Sequence, residues 1–325
     1  MSVGSGEILF PGLIDLQING AYGHDFTSDP FSIWQVGALL PEQGVTGFLP
    51  TIITSVPERI KEALEAIHDR PAGYVGAEPL GLHLEGPFLS TRRAGVHDPD
   101  LMQLPSPDLI EGWSPRVVMV TLAPELPGAE AMVKELVARG VVVAAGHSAA
   151  TYEEAFAGFA WGIEAVTHLF NAMEPFSHRE PGLVGAAFDS KVIAGIICDG
   201  VHVHPATVRA AWGLLGPDRL ALVTDAIAAT GLDDGTYQLG SSGVQVSGGV
   251  VTDAAGRLAG STLTLDQAVR NLIAFTGCSP HEAAAAASSV PATLLKLTER
   301  SDRVRFDDDM RPVATSIANK VVWER

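Results

Sequence analysis

Apolar runs rich in Val, Ile and Leu recur along the chain, and each gives way to an amphipathic, helix-like stretch. The runs predict eight strands, at 13–18, 45–53, 80–84, 117–122, 141–145, 165–168, 192–198 and 220–224. Continuous apolar runs suit strands buried on both faces, as in a parallel sheet. Between them, "PERIKEALEAIHD", "AEAMVKELVARG", "TYEEAFAGFAWG" and "HPATVRAAWGLLG" read as helices; several open on a capping residue or proline and several close on glycine. Eight strand–helix units in 325 residues predict an α/β fold of the (β/α)8 barrel type, an architecture of about 250 residues. An open doubly wound sheet is the other arrangement of such units, but it would gather its functional residues near one switch point.

Past the eighth strand the pattern changes. "TYQLGSSGVQVSGGVVTDAAGRLAGS" alternates and carries Gly-rich turns, which predicts a β-hairpin excursion at about 236–260. "TLDQAVRNLIAFTG" and "SPHEAAAAASSVPATLLKL" then read as helices, and the tail "DRVRFDDDMRPVATSIANKVVWER" as two short strands.

Four motifs sit where apolar runs end: "GLHLEGP" with Glu85, "VVVAAGHS" with His147, "AVTHLFNAM" with His168 and "LALVTDA" with Asp225. Taken singly, each reads as a satisfied buried polar residue. Together they occupy the C-terminal ends of strands three, five, six and eight, where a barrel of this type carries its chemistry. One carboxylate and two imidazoles make a three-ligand zinc set, and the further carboxylate is left to move protons: the layout of a metal-assisted hydrolase. Such a site suits an amide, whose carbonyl is weakly electrophilic and whose amine leaves poorly. The metal addresses the first obstacle, and Asp225 can take a proton from water and return it to the departing nitrogen.

Composition narrows the partners. The formal charge of −17 argues against nucleic acid and anionic membranes, and no apolar run reaches the ~20 residues of a membrane span. An anionic substrate would need a local basic pocket, for which Arg92 and Arg93 in "FLSTRRAGVHDP" and His178 and Arg179 in "FSHREPGLVG" are available. Two cysteines, Cys198 and Cys278, make no disulfide framework, and Cys198 reads as a small buried hydrophobe. "MSVGSGEILFPG" lacks the pattern of a secretory signal, so the expected location is the cytoplasm.

With these motifs in order along nearly the whole barrel, the chain resembles the N-acetylglucosamine-6-phosphate deacetylases of the amidohydrolase superfamily. The stretches that carry the resemblance include "PGLIDLQINGAYGHDF", "GVTGFLPTIIT", "GLHLEGPFLS", "VTLAPE", "AAGHSAAT", "THLFNAM", "REPGLVGAAFD", "CDGVHVHP", "LVTDAIAATG" and "GRLAGSTLTL". The resemblance implies hydrolysis of the N-acetyl group of N-acetylglucosamine 6-phosphate to glucosamine 6-phosphate and acetate. It makes Glu85, His147 and His168 the metal ligands and Asp225 the proton shuttle. His97 and His202 become substrate-facing imidazoles, with His97 polarising the amide carbonyl. Val96, Asn171, Ala172, Asp199 and the turn Leu258, Ala259, Gly260 become substrate contacts. Arg179 becomes a phosphate partner that reaches in from the neighbouring subunit of a homodimer. The alternatives are a deacetylase of N-acetylgalactosamine 6-phosphate or another N-acyl amino sugar, and a non-catalytic relative acting as a binding scaffold.

Two departures refine that picture. Many amidohydrolases hold a second metal with His-x-His at the end of strand one; here Gln17 and Asn19 stand there, and amides are poor transition-metal ligands. One divalent ion is expected, zinc, with ferrous iron the alternative. Relatives also carry several dozen residues before "PGLID". The expected division is therefore a catalytic barrel over 11–298 and a reduced small β domain from 1–10 and 299–325.

Overall fold

The computed structural model describes residues 7–298 and 300–325. Its centre is a ring of eight strands: β1 Leu13–Ile18, β2 Val45–Ile53, β3 Leu82–Glu85, β4 Val117–Leu122, β5 Val142–Ala145, β6 Ala165–Val166, β7 Ile193–Ile197 and β8 Leu220–Val223. Each is parallel to its neighbours in sequence order, from β1 round to β8. All nine residues of β2 are buried, which explains why its sequence runs largely apolar without alternation; all six of β1 are buried too, and they include the polar Asp15 and Gln17. The ring closes just past the strand ends. Ile18 bridges Ala226, the Asp225 N–H donates to the Gln17 carbonyl at 3.0 Å, and the Asn19 N–H donates to the Ala226 carbonyl at 2.8 Å. The seam of the barrel is thus part of the site.

Several strands stop earlier than the apolar runs suggest. The 165–168 run yields only Ala165–Val166, because His168 turns to φ +28° and leaves the extended region. His147 and Asp225 do the same, at φ +46° and +51°. Three non-glycine residues held at positive φ, all at strand ends, mark backbone strain concentrated where the chemistry is expected.

The helices at Pro57–His68, Ala129–Ala138, Tyr152–Trp161, Pro205–Leu215 and Leu265–Thr276 match the expected stretches. The Ala-rich stretch does not form one helix. It breaks at Ser288 into Pro280–Ala286 and Ser289–Leu294, and Pro291 is accommodated in the first turn of the second.

Two further sheets correct the strand count. The excursion after β8 is three antiparallel strands, Gly235–Leu239, Ser242–Ser247 and Val250–Asp253, rather than a hairpin. The extra strand follows a second tight turn at Gly248 and Gly249, both at positive φ. The tail likewise gives three strands, Arg303–Phe306, Pro312–Ile317 and Lys320–Glu324, which form one sheet with Ile8–Pro11. The missed turn uses Ala318 and Asn319 at φ +49° and +64°, a primed-type geometry that ordinarily advertises itself with glycine. Of the expected small β domain, residues 1–6 and 299 lie outside the described residues. Cys198 is buried and both cysteines are free. Among the described residues, no helix is long and apolar enough to cross a membrane.

Candidate active site

Three ligand-type atoms converge at the C-terminal mouth of the barrel. Glu85 Oε1, at the end of β3, lies 3.0 Å from His168 Nε2 and 3.3 Å from His147 Nε2, and the two imidazole nitrogens are 3.1 Å apart. All three side chains are buried. Nothing in that triangle explains two ring nitrogens facing each other. For His147 the partner behind the ring decides which nitrogen is bare, whereas His168 Nδ1 has no hydrogen-bond partner among the described residues. His147 Nδ1 lies 3.0 Å from the Arg93 carbonyl, which can only accept, so Nδ1 carries the proton and Nε2 offers a lone pair to the triangle.

His97 stands beside this set and differs in tautomer. Glu85, His97 and His147 offer atoms within 4.8 Å of one another, a cluster able to hold a metal ion. But His97 Nδ1 accepts the Thr54 backbone N–H at 3.3 Å, so its proton sits on Nε2, 3.5 Å from Glu85 Oε2. A protonated nitrogen donates and does not ligate. Burial, with His147 alongside, pushes the His97 pKa down to about 4 and keeps the ring neutral. The bare donor set is therefore Glu85, His147 and His168. Its edges fit a tetrahedral ion, whose ligand atoms at about 2.0–2.1 Å from the metal sit about 3.3 Å apart. One carboxylate with two imidazoles suits zinc or iron.

Asp225 faces the triangle from the end of β8. Asn19 Nδ2 donates to its Oδ1 at 2.6 Å and Gln17 Nε2 at 3.1 Å, and Gln17 Nε2 also reaches Glu85 Oε1 at 3.0 Å. The two amides, read from sequence only as missing metal ligands, are donors that fix both carboxylates. Burial and the charge of Glu85 push the Asp225 pKa up to about 6. Burial opposes ionisation of Glu85 as well, yet the imidazoles of His147, His168 and His97 packed against it hold its pKa well below the usual carboxylate value. The two carboxylates thus sit in opposite protonation regimes within one pocket. Gly260 presses on the back of Asp225. At φ +67°, a Cβ there would lie 2.4 Å from Ile227 Cγ2 and 3.0 Å from the Asp225 carbonyl oxygen.

The pocket encloses about 280 Å³, just below the ~300–1,000 Å³ usual for small-molecule sites. It brings together Val96, His97, Asn171, Ala172, His202, Leu258 and Gly260 with Glu85, His147, His168 and Asp225. Two expected contacts are placed otherwise, and Arg179, expected to serve a neighbouring subunit, lies outside this chain's own pocket. Asp199 stands behind the wall: its Oδ1 accepts the Val201 and His202 N–H groups at 2.8 Å and its Oδ2 holds His202 Nδ1 at 2.6 Å. Ala259 is buried in the satellite core under the three-stranded excursion. Arg179 lines a different, outer cavity with Arg92, Tyr152 and Glu174.

Further residues went unread in the sequence. Glu125, in "VTLAPE", accepts the Ser148 hydroxyl at 2.7 Å and the Ala149 N–H at 2.6 Å, pinning the loop after His147. Glu174 takes both Arg92 and Arg93, and so steadies the segment whose carbonyl sets the His147 tautomer. Arg257 lines the catalytic pocket itself. Only the last has a sequence signal, a cation next to the "LAG" turn.

A barrel whose strand ends carry such a site defines a metal-dependent hydrolase, and the chain belongs to the amidohydrolase family, whose model matches residues 8–305. Across 98% of its length the chain is 39% identical to N-acetylglucosamine-6-phosphate deacetylase of Homo sapiens, of which it covers 84%. It is also 39% identical, over 89% of its length, to N-acetylgalactosamine-6-phosphate deacetylase of Escherichia coli O157:H7, of which it covers 78%. Among solved structures, it matches a mutant of N-acetyl-D-glucosamine-6-phosphate deacetylase of Mycobacterium smegmatis in complex with N-acetyl-D-glucosamine-6-phosphate. The TM-score is 0.89 at 36% identity, over 97% of this chain and 86% of that one.

Proposed function

We propose that this protein removes the N-acetyl group of N-acetylglucosamine 6-phosphate, releasing glucosamine 6-phosphate and acetate in amino-sugar catabolism. The observation that carries the reading is the triangle of Glu85 Oε1, His147 Nε2 and His168 Nε2, with edges of 3.0–3.3 Å, set beside Asp225. These three residues would hold one divalent ion, zinc, with ferrous iron the alternative. When bound, the ion supplies a polarised carbonyl and an acidified water.

The chain's own groups do the rest. Asp225 takes the proton from the attacking water and delivers it to the amine nitrogen as the C–N bond breaks. Gln17 and Asn19 aim its carboxylate; their N–H groups hold Oδ1 and leave Oδ2 for the proton. Neutral His97 presents Nε2–H to the carbonyl oxygen, where negative charge develops. His202, braced by Asp199, faces the sugar. The Asn171 amide and the Ala172 N–H hold the sugar phosphate, and Val96 with the Leu258–Gly260 turn closes the remaining wall. Phosphate binding, remote from the reacting bond, holds the amide in register. Arg179, absent from its own pocket, serves the pocket of a second copy in a homodimer. The protein acts in the cytoplasm.

The test is acetate release from the 6-phosphates of N-acetylglucosamine and N-acetylgalactosamine, with metal content measured on the same sample. Faster turnover of the galacto epimer would move the reading to that substrate, which the Escherichia coli relative supports. Absence of turnover on both, with metal bound, would leave a binding scaffold.

A further inference from the structure

The chain is strongly acidic, and a sugar phosphate entering its pocket meets that field before it meets any specific contact. Among the described residues lining the catalytic pocket, Arg257 is the sole Lys or Arg. It stands on the turn that leads from the strand Val250–Asp253 into the Leu258–Gly260 wall. Its backbone and side chain are both organised by Asp253. Asp253 Oδ1 accepts the Ala255 and Arg257 N–H groups at 2.9 Å, and its Oδ2 takes Arg257 Nε and Nη2, each at 2.7 Å. One edge of the guanidinium is thereby held and Nη1 is left for a ligand.

We propose that Arg257 is a specificity residue that binds the 6-phosphate of the substrate from within the same chain, on the mouth side of the pocket. This rests on the phosphorylated amino-sugar reading above and adds to it a second cation, independent of any partner subunit. The chemistry favours a phosphate over a neutral hydroxyl. Arg257 is 59% exposed, so its pairing with Asp253 is a weak, water-screened contact that it exchanges at little cost. A phosphate oxygen pair offers the planar fork two charge-assisted hydrogen bonds in place of that contact. The contact lies far from the Glu85–His147–His168 triangle's chemistry in role. It binds ground state and transition state alike, and its loss appears in KM rather than kcat.

The experiment compares wild type, Arg257→Ala, Arg257→Gln and Arg257→Lys in steady-state acetate release from the phosphorylated and the unphosphorylated N-acetyl sugar. The expected result for Arg257→Ala and Arg257→Gln is a KM for the phosphorylated sugar raised about tenfold or more, kcat within about twofold, and an unchanged kcat/KM for the unphosphorylated sugar. Arg257→Lys should recover part of the loss. Equal effects on both sugars, or none on either, would overturn the assignment. A separate arm does not depend on turnover: calorimetric titration of the holoenzyme with glucosamine 6-phosphate and with inorganic phosphate. Weaker binding of both by about tenfold in Arg257→Gln supports the contact, and identical affinities in the two proteins refute it even if the deacetylase reading were wrong. Failure of the deacetylase reading shows separately, as wild-type protein that releases no acetate.

Discussion

The inner end of the pocket and its rim are built on different principles. At the inner end Glu85, His147, His168 and Asp225 stand at strand ends, with His97 on a loop beside them, and most are held from behind: Gln17 on Glu85 and Asp225, the Arg93 carbonyl on His147, Thr54 on His97. At the rim the charged groups are on loops. Arg92 and Arg257 are 72% and 59% exposed, and each leans on one carboxylate. The inner geometry follows from closure of the barrel within one chain. The rim depends on exposed ion pairs worth little by themselves, so its arginines can be re-aimed by a substrate or by a second copy. Chemistry is thereby fixed in the scaffold and recognition is left adjustable.

The sharpest break of this contrast is to remove a proposed metal ligand. His147→Ala or His168→Ala should abolish turnover and reduce the metal content from about one equivalent per chain to near zero, checked by elemental analysis beside the acetate assay. Two tightly held ions per chain in the wild type would show that the donors at Gln17 and Asn19 have been misassigned. Asp225→Asn divides the inner end within itself. It should keep the metal and the fold while losing roughly 10²–10⁴-fold in kcat, since an amide cannot shuttle a proton. Wild-type turnover in that variant would give the role to another group, with His97 first in line.

The rim is probed with Arg179. If it completes a second copy's pocket, Arg179→Ala should lower kcat/KM for the phosphorylated sugar by about 10–100-fold, with little change for the unphosphorylated one. Mixing Arg179→Ala chains with Asp225→Asn chains should then restore activity in a fraction of sites, because one hybrid pocket keeps both residues. Verified mixed dimers without recovery would confine Arg179 to its own subunit.

The same contrast governs what could be read in advance. The barrel and its four key residues were legible because burial on both faces writes itself as apolar runs, and because Glu85, His147, His168 and Asp225 end those runs. The supporting groups were not. Gln17 and Asn19 read as absences, since a sequence shows which ligand is missing but not what an amide donates to across 68 or 208 positions. The tautomers of His97 and His147 depend on a backbone N–H and a backbone carbonyl, which leave no trace in residue identity. The third tail strand was hidden because its turn is made by Ala318 and Asn319 without glycine. Arg179 was visible as a basic loop residue, but its distance from the pocket is a matter of loop path.

The smallest expected effect tests whether closing the inner end carries a cost. Asp15, on β1 behind Gln17, is fully buried. Its Oδ1 accepts the Gln17 and Thr224 N–H groups at 3.1 and 3.3 Å, while Oδ2 has no hydrogen-bond partner among the described residues. Burial pushes its pKa up to about 7, against the hydrogen bonds that lower it. The folded pKa is therefore above the unfolded value of about 3.9, so between these values the folded state binds more protons. The stability contributed by the neutral carboxyl is fully present below about pH 4 and is lost as pH rises through about 7. Asp15→Asn retains the Oδ1 acceptor and cannot ionise. In chelator-treated protein, the Tm of the variant relative to wild type should rise by roughly 2–6 °C between pH 4 and pH 8. A difference that stays flat across that range would mean that the seam tolerates the charge, and that the inner end is less tightly sealed than its burial implies.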